Sequence, residues 1–503
     1  FGKTSGEYNR QRKTNERKPP TLYGACKSYT RGLRRNMRKI GNSTRKFMEM
    51  EKKLRILFIT TIVVISNLNL KCQDIEEKID ASKLEWLVYP ISTQNRPHEW
   101  ACEPSIASNP LGDQIIAGSV LDQVHRVKVS NNSKSNNWIH QTLESPFGVW
   151  GDPIIQYDYE GRAYFLHLAT PNGKKDEDYL DRIVLQYSDD HGASWSTGSS
   201  IGYNPPKDQD KEGIAIDKSN TLHVSWTEFD KYGESDKTKY RSRIRYSQST
   251  DQGETWSQAI TISSNEGDCI DDDNTTEGAI PAVDPSMGVV VIWSFQDTIW
   301  LNRSDDDGAI TWLNQERPIA THVGGWAQEI PGFGRANGMP ISQFELDGDF
   351  HLVFGEQESG EKSWLVHMVS KDGGVKWSNK QKIPVPDGVI HHFMPWFTID
   401  STNNSLHIIA YGQKDSTTWE TQAYHTYSND VGQSWHHHAL AESFSPTPNH
   451  FFGDYNGIVA HPKSGIHMVW TQQNDGVNSI YYCNMKSSRE LNSRNKPKRK
   501  KRN

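Results

Sequence analysis

Cysteine is scarce: five in 503 residues, of which Cys72, Cys102, Cys269 and Cys483 lie beyond the basic start of the chain. Their spacing fits no zinc or dithiol motif, which removes a zinc module or a redox centre from consideration and leaves any disulfide unassigned. Long apolar runs are missing too. Ile56–Ile65 is apolar but too short for a typical membrane-spanning helix. Positive charge is in deficit over most of the chain. The whole carries −6, residues 1–47 contribute +12 and residues 486–503 contribute +8, leaving −26 for residues 48–485. A body so acidic does not suit nucleic acid, so no nucleic-acid partner is expected. Nothing calls for a second chain, and a monomer is the expectation.

The ends have their own composition. Residues 1–47 hold 14 Lys/Arg against two Glu. Met48–Arg55 followed by Ile56–Ile65 has the basic and apolar regions of a signal peptide. Translation is therefore expected to start at Met48 or Met50, with residues 48–73 a signal peptide and 1–47 upstream of the reading frame. The protein is then secreted or at the cell surface. Cys72 stands where a lipid-bearing cysteine would, but Lys71 before it fits such a site poorly. Residues 486–503 read as a disordered basic tail.

What the chain has in abundance is one short turn. Ser188–Trp195, Ser249–Trp256, Ser304–Trp312, Ser370–Trp377 and Ser428–Trp435 share the pattern S-x-D-x-G-x-[ST]-W, with one insertion in the third copy and Lys376 in place of the hydroxyl in the fourth. The motif glycines are 61, 55, 66 and 58 residues apart. Self-similarity at that period, with strands between the copies, predicts a β-propeller. Ser and Asp side chains bond the turn backbone, Gly supplies a positive φ, and Trp packs between sheets. The motif thus builds scaffold rather than chemistry.

A second repeat counts the blades. Glu103, Asp152, Glu212, Glu277, Asn337, Phe393 and Asp454 each open an apolar strand that is followed by a turn and an alternating strand. This predicts an all-β fold, a seven-bladed propeller of four-stranded antiparallel blades over residues 74–485, with six blades the alternative. The last blade runs out after three strands, so Leu84–Tyr89 is expected to supply the fourth and close the ring.

The five turns resemble the Asp box, or BNR repeat, of sialidases and other propeller proteins. That resemblance implies a propeller and, less directly, glycosidase activity. Sialidases usually have six blades, hold the substrate carboxylate with three arginines, one of them in an [FY]-R-I-P motif, and use a Tyr nucleophile assisted by Glu with an Asp acid/base. The arginine motif is absent, and Asn95-Arg96-Pro97 is its nearest remnant. By type, Tyr455, Glu277 and Asp152 suit the three catalytic roles.

The residues point to the same region independently. The strand openings ring the central channel, where clustered carboxylates serve as acid and base or cap strands. Asp152, Glu277, Asp454 and Tyr455 are the candidate catalytic residues. Trp150, Glu212, Trp326, Arg335, Asn337 and His392 are the candidates to hold substrate, with no metal among these. Asp271, Asp272 and Asp273 form an oxygen-rich loop that reads equally as a Ca²⁺ site or a solvated acidic loop. The favoured expectation is an exported, sialidase-like glycoside hydrolase acting on acidic or complex glycans, with no required cofactor. A polysaccharide lyase using histidine and Tyr455, or a non-catalytic propeller that binds glycan or protein, are the alternatives.

Overall fold

The computed structural model describes residues 87–93, 101–120, 123–128, 138–172, 179–286, 288–304, 311–358, 362–448 and 450–485. All belong to the compact unit Trp86–Asn503. Expectations for residues 1–73, for Asn95–Pro97 and for 486–503 fall outside these residues. Among them there is no helix long and apolar enough to cross a membrane.

Seven four-stranded antiparallel sheets follow one another along the described residues. Their innermost strands are Ser105–Ser108, Ile154–Tyr157, Asp208–Ile216, Glu277–Asp284, Ile341–Phe344, His391–Asp400 and Gly457–His461. Each touches the next, and the seventh touches the first, so the sheets form the closed ring of a β-propeller. We number the blades 1 to 7 in that order. A two-stranded ribbon, Ala327–Gln328 with Ala336–Asn337, lies between the fourth and fifth sheets in sequence.

Blade 7 takes three strands from the end of the domain and its outermost strand from the start. Leu87–Thr93 pairs antiparallel with Val477–Met485, matching Tyr89 with Tyr482. Within the described residues the strand overlaps the expected Leu84–Tyr89 at Leu87–Tyr89 and runs on to Thr93. Its anchors are Ile91, which is buried, and Tyr89, whose hydroxyl accepts a bond of 3.0 Å from Trp138 Nε1 of blade 1. This covers an edge that would otherwise present unpaired backbone.

The repeated turns are hydrogen-bonded clips. Ser188 Oγ accepts from Gly192 N at 2.7 Å and donates to Asp190 Oδ1 at 2.8 Å. Asp190 in turn accepts from Ser194 N and Ser194 Oγ, both at 2.7 Å. The serine and aspartate bonds recur at Ser249, Ser370 and Ser428. Lys376 keeps the backbone bond to Asp372 and loses the hydroxyl bond. In the full version the Ser434 hydroxyl and amide hold the Asp430 carboxyl down at about 2. Gly253 sits at φ 89°, and a Cβ there would lie 2.5 Å from Leu185 of the preceding blade. Trp256 Nε1 donates to Ser199 Oγ of that same blade at 2.9 Å. The clips therefore lock blade to blade at the periphery, away from the axis.

Five of the seven blades, all but blades 1 and 4, also carry a buried histidine on the second strand: His167, His223, His351, His407 and His467. His351 bonds Glu345 and His367, both at 2.9 Å. His407 bonds Ser405 at 2.7 Å and His425 at 2.9 Å. His467 bonds Ser464 and the Tyr482 hydroxyl, both at 2.7 Å. Burial disfavours the imidazolium and lowers His351 and His407 to about 4 and His467 to about 3. A pKa below the unfolded value of roughly 6.5 gives stability that is whole above that pH and is lost as the pH falls toward 4. Urea unfolding should accordingly show the wild type losing more stability, or gaining less, than His407→Gln between these pH values. An equal change in that variant would remove His407 from this account.

Candidate functional site

The innermost strands do not run straight into the axis. Register breaks between Asp210 and Gly213, between Glu277 and Ile280, and between Phe393 and Trp396 leave bulges in blades 3, 4 and 6. At the inner-strand openings of blades 1, 2, 3 and 6, Glu103, Asp152, Lys211 and Met394 have φ of 51°, 52°, 54° and 52°. Side chains there pay about 1–2 kcal/mol each for a left-handed backbone. Bulges and such strain gather where side chains are re-aimed for function.

What they aim is a buried cluster of acids around two cations. Lys211 Nζ lies 3.3 Å from Asp152 Oδ2, 3.1 Å from Asp454 Oδ2 and 3.9 Å from Asp210 Oδ1. Arg335 Nε donates to Asp454 Oδ1 at 2.8 Å, Nη2 bonds the second Asp454 oxygen, and Nη1 bonds Asp271 Oδ2. Tyr232 OH donates to the same Asp271 oxygen at 2.9 Å. Glu103 Oε1 accepts from Asp454 N at 3.2 Å, and Asn337 Nδ2 donates to Asp454 O at 2.6 Å. Asp454 is thus the hub, reached from blades 1, 3 and 7 and from the ribbon that carries Arg335 and Asn337.

Seven carboxyl groups and two cations cannot all be charged out of water at low cost. The cluster responds by holding protons. Burial raises Glu103, Asp210, Glu212 and Glu277 well above the carboxylate range, and the nearby charges of Asp152 or Asp271 raise them further. Burial would deprotonate Lys211, but Asp152, Asp210, Asp454 and Asp271 outweigh it and keep the ammonium. Burial would also raise Asp271, yet Lys211, Arg335 and a hydrogen bond from Glu277 bring it down to about 2. Neither oxygen of Glu277 meets an N–H or O–H from elsewhere. Asp271 and Glu277 are therefore one pair holding one proton.

Tyr455 stands beside this pair of poles, 5 % exposed, its hydroxyl without a partner. Burial raises it far above an ordinary phenol, and Asp152, Glu103, Glu212 and Asp454 add to that. Glu212 is equally buried, and both its oxygens lack partners. Toward solvent the cluster is bordered by Arg335, by Phe451 4.9 Å from its guanidinium, and by Trp150 packed edge-on against Tyr179 at 6.1 Å. The Arg335 side chain is 25 % exposed.

Asp152, Glu212, Glu277, Arg335, Asn337, Asp454 and Tyr455 thus come together. His392 does not join them: it is buried inside blade 6, 6.2 Å from the His437 ring, and both its nitrogens are unpartnered. Trp326 is buried as well, against Arg335 at 5.8 Å, and presents no face for a sugar. Asn337 spends its amide on backbone. Asp272 accepts from Asn274 N and Asp273 from Ala327 N, both at 2.8 Å, while Asp271 faces Arg335. The three loop carboxylates therefore diverge, and among the described residues no group of His, Cys, Asp or Glu is arranged for a metal. Sequence reasoning passed over Lys211, Asp210, Tyr179 and Tyr232. The run Asp210-Lys211-Glu212 at the head of an otherwise buried strand was the signal for the first two.

No protein-family model matches the sequence, and no curated protein matches it. Among solved structures, the fold is similar to the NanB sialidase of Streptococcus pneumoniae, with 13% identity over 75% of this chain and 84% of that one and a TM-score of 0.43. It is similar to the Penicillium chrysogenum alpha-L-arabinanase complexed with arabinobiose, with 12% identity over 79% and 97% of the two chains and a TM-score of 0.44. A protein of unknown function from Dyadobacter fermentans shares 14% identity over 70% and 97%, with a TM-score of 0.41.

Lys211 is the cation this cluster can least replace. Lys211→Met should cost about 3–5 kcal/mol in urea unfolding, because Asp152 and Asp454 lose a buried partner. Adding Asp152→Asn should restore part of that loss. A double variant no better than the sum of the singles would contradict the pairing.

Proposed function

We propose that the protein is a glycoside hydrolase working at the buried carboxyl cluster on the propeller axis. The observation that carries this reading is the division of protons between neighbours: Glu277 raised well above the carboxylate range and Asp271 held at about 2. Carboxyl groups pushed apart in this way are what acid and base roles at a glycosidic bond require. In this reading Glu277 supplies the proton, passed to the leaving oxygen through Asp271 at the edge of the cluster. Asp152, held by Lys211, is the second carboxylate. Tyr455 takes a hydrogen-bonding role, because its surroundings oppose the phenolate a nucleophile would need. The apolar segment Ile56–Ile65 supports export.

One observation favours a second reading, a propeller that binds glycan without cleaving it. Glu277 is 0 % exposed and Asp454 1 % exposed, as expected of a network that only holds the ring together. A lyase loses its support, since His392 faces His437 rather than the cluster.

Fluorogenic glycosides and a polysaccharide panel with mass spectrometry of products separate the readings. Hydrolysis by the wild type, reduced about 10²–10⁴-fold in Glu277→Gln and Asp152→Asn at unchanged folded content, is the expected result. Binding without turnover in the wild type would leave the binding propeller.

A further inference from the structure

Among the described residues the candidate site has no cation to spare. Arg335 was expected to receive a sugar acid, but its Nε and Nη2 are taken by Asp454 and its Nη1 by Asp271. Lys211 is 7 % exposed and lies among Asp152, Asp210 and Asp454. The groups in the cluster that do lack partners are of the other kind. Both oxygens of Glu212 and the Tyr455 hydroxyl are buried without partners, and Glu277 meets no group but Asp271. A buried polar group without a partner is costly, and a sugar hydroxyl both donates and accepts, so it can partner a carboxyl that holds its proton or a phenol. An incoming carboxylate, sulfate or phosphate would bring no donor and would meet acids in excess of cations.

We infer that the site takes uncharged, hydroxyl-rich glycans and excludes glycans that carry an acid group. The inference rests on the hydrolase reading for its location, and it reverses the expectation of an acidic substrate. Selection works by what the site withholds. Arg335, exposed for a quarter of its side chain, is the one cation at the border among the described residues, and Asp271 and Asp454 keep it from acting as an anion receptor. Trp150, Tyr179 and Phe451 at the border offer apolar faces to a sugar ring without adding charge.

The test uses the full chain and paired aryl glycosides that differ in a single group: a hexoside against its uronide, with a sialoside alongside. Turnover and binding, the latter by tryptophan fluorescence, are measured on each. The neutral partner should be favoured by about 100-fold in kcat/KM or in Kd. A uronide or sialoside handled as well as the hexoside, or better, would overturn the inference. Neutral binding without turnover would sink the hydrolase reading and uphold the selectivity, whereas no binding of any neutral glycan would sink both. Asp271→Ala gives an independent check, since it removes the acceptor of Arg335 Nη1. Uronide binding should rise at least about tenfold in that variant, and no rise would contradict the role given to Asp271.

Discussion

One buried cation, Lys211, and one half-buried cation, Arg335, hold seven carboxyl groups at the axis of this propeller, and the geometry of the inner strands follows from that imbalance. Lys211 and Arg335 both converge on Asp454, so a single aspartate joins blade 7, blade 3 and the ribbon that carries Arg335. The remaining acids are tolerated because burial raises four of them well above the carboxylate range and so favours their uncharged form. Without the cations the acids would repel one another in a place that water does not reach. Without the protons two cations would be too few.

The fold divides its labour by radius. At the rim, serine and aspartate clips stand in blades 2, 3, 5 and 6 with their carboxylates bonded, and the Trp256 clip locks blade 3 to blade 2. In mid-blade, buried histidines bond across strands. At the axis the strands bulge and carry left-handed residues, and there polar groups are left unsatisfied: Glu212, Glu277 and Tyr455. Local rules are obeyed at the rim and broken at the centre, which is the distribution expected when function claims the centre.

The rim was legible in the sequence because its chemistry is local. Ser188, Asp190 and Gly192 bond to one another within one turn, so the pattern survives as a motif. The closing strand was legible too, since a blade that runs out after three strands requires a fourth, and Leu87–Thr93 supplies it. The strand openings gave the acids of the axis for the same reason. The partners of those acids did not follow, because they are set by long-range contact. Arg335 meets Asp454 119 residues away. Spacing alone left it as a receptor for a sugar acid and left Asp271 in a loop that read equally as a Ca²⁺ site or a solvated acidic one, and neither reading paired the two, which are bonded to each other. His392 misled for a related reason: a strand alternates faces, and its face turns into the blade toward His437 rather than to the axis.

The central claim is that several carboxyl groups at the axis stay protonated near neutral pH. Infrared spectroscopy of the protonated carboxyl C=O stretch tests it directly, with Glu277→Gln and Glu212→Gln as assignments. The account predicts a protonated carboxyl band that persists at neutral pH in the folded protein, loses intensity in each variant and vanishes on unfolding. A folded protein with no such band would contradict it.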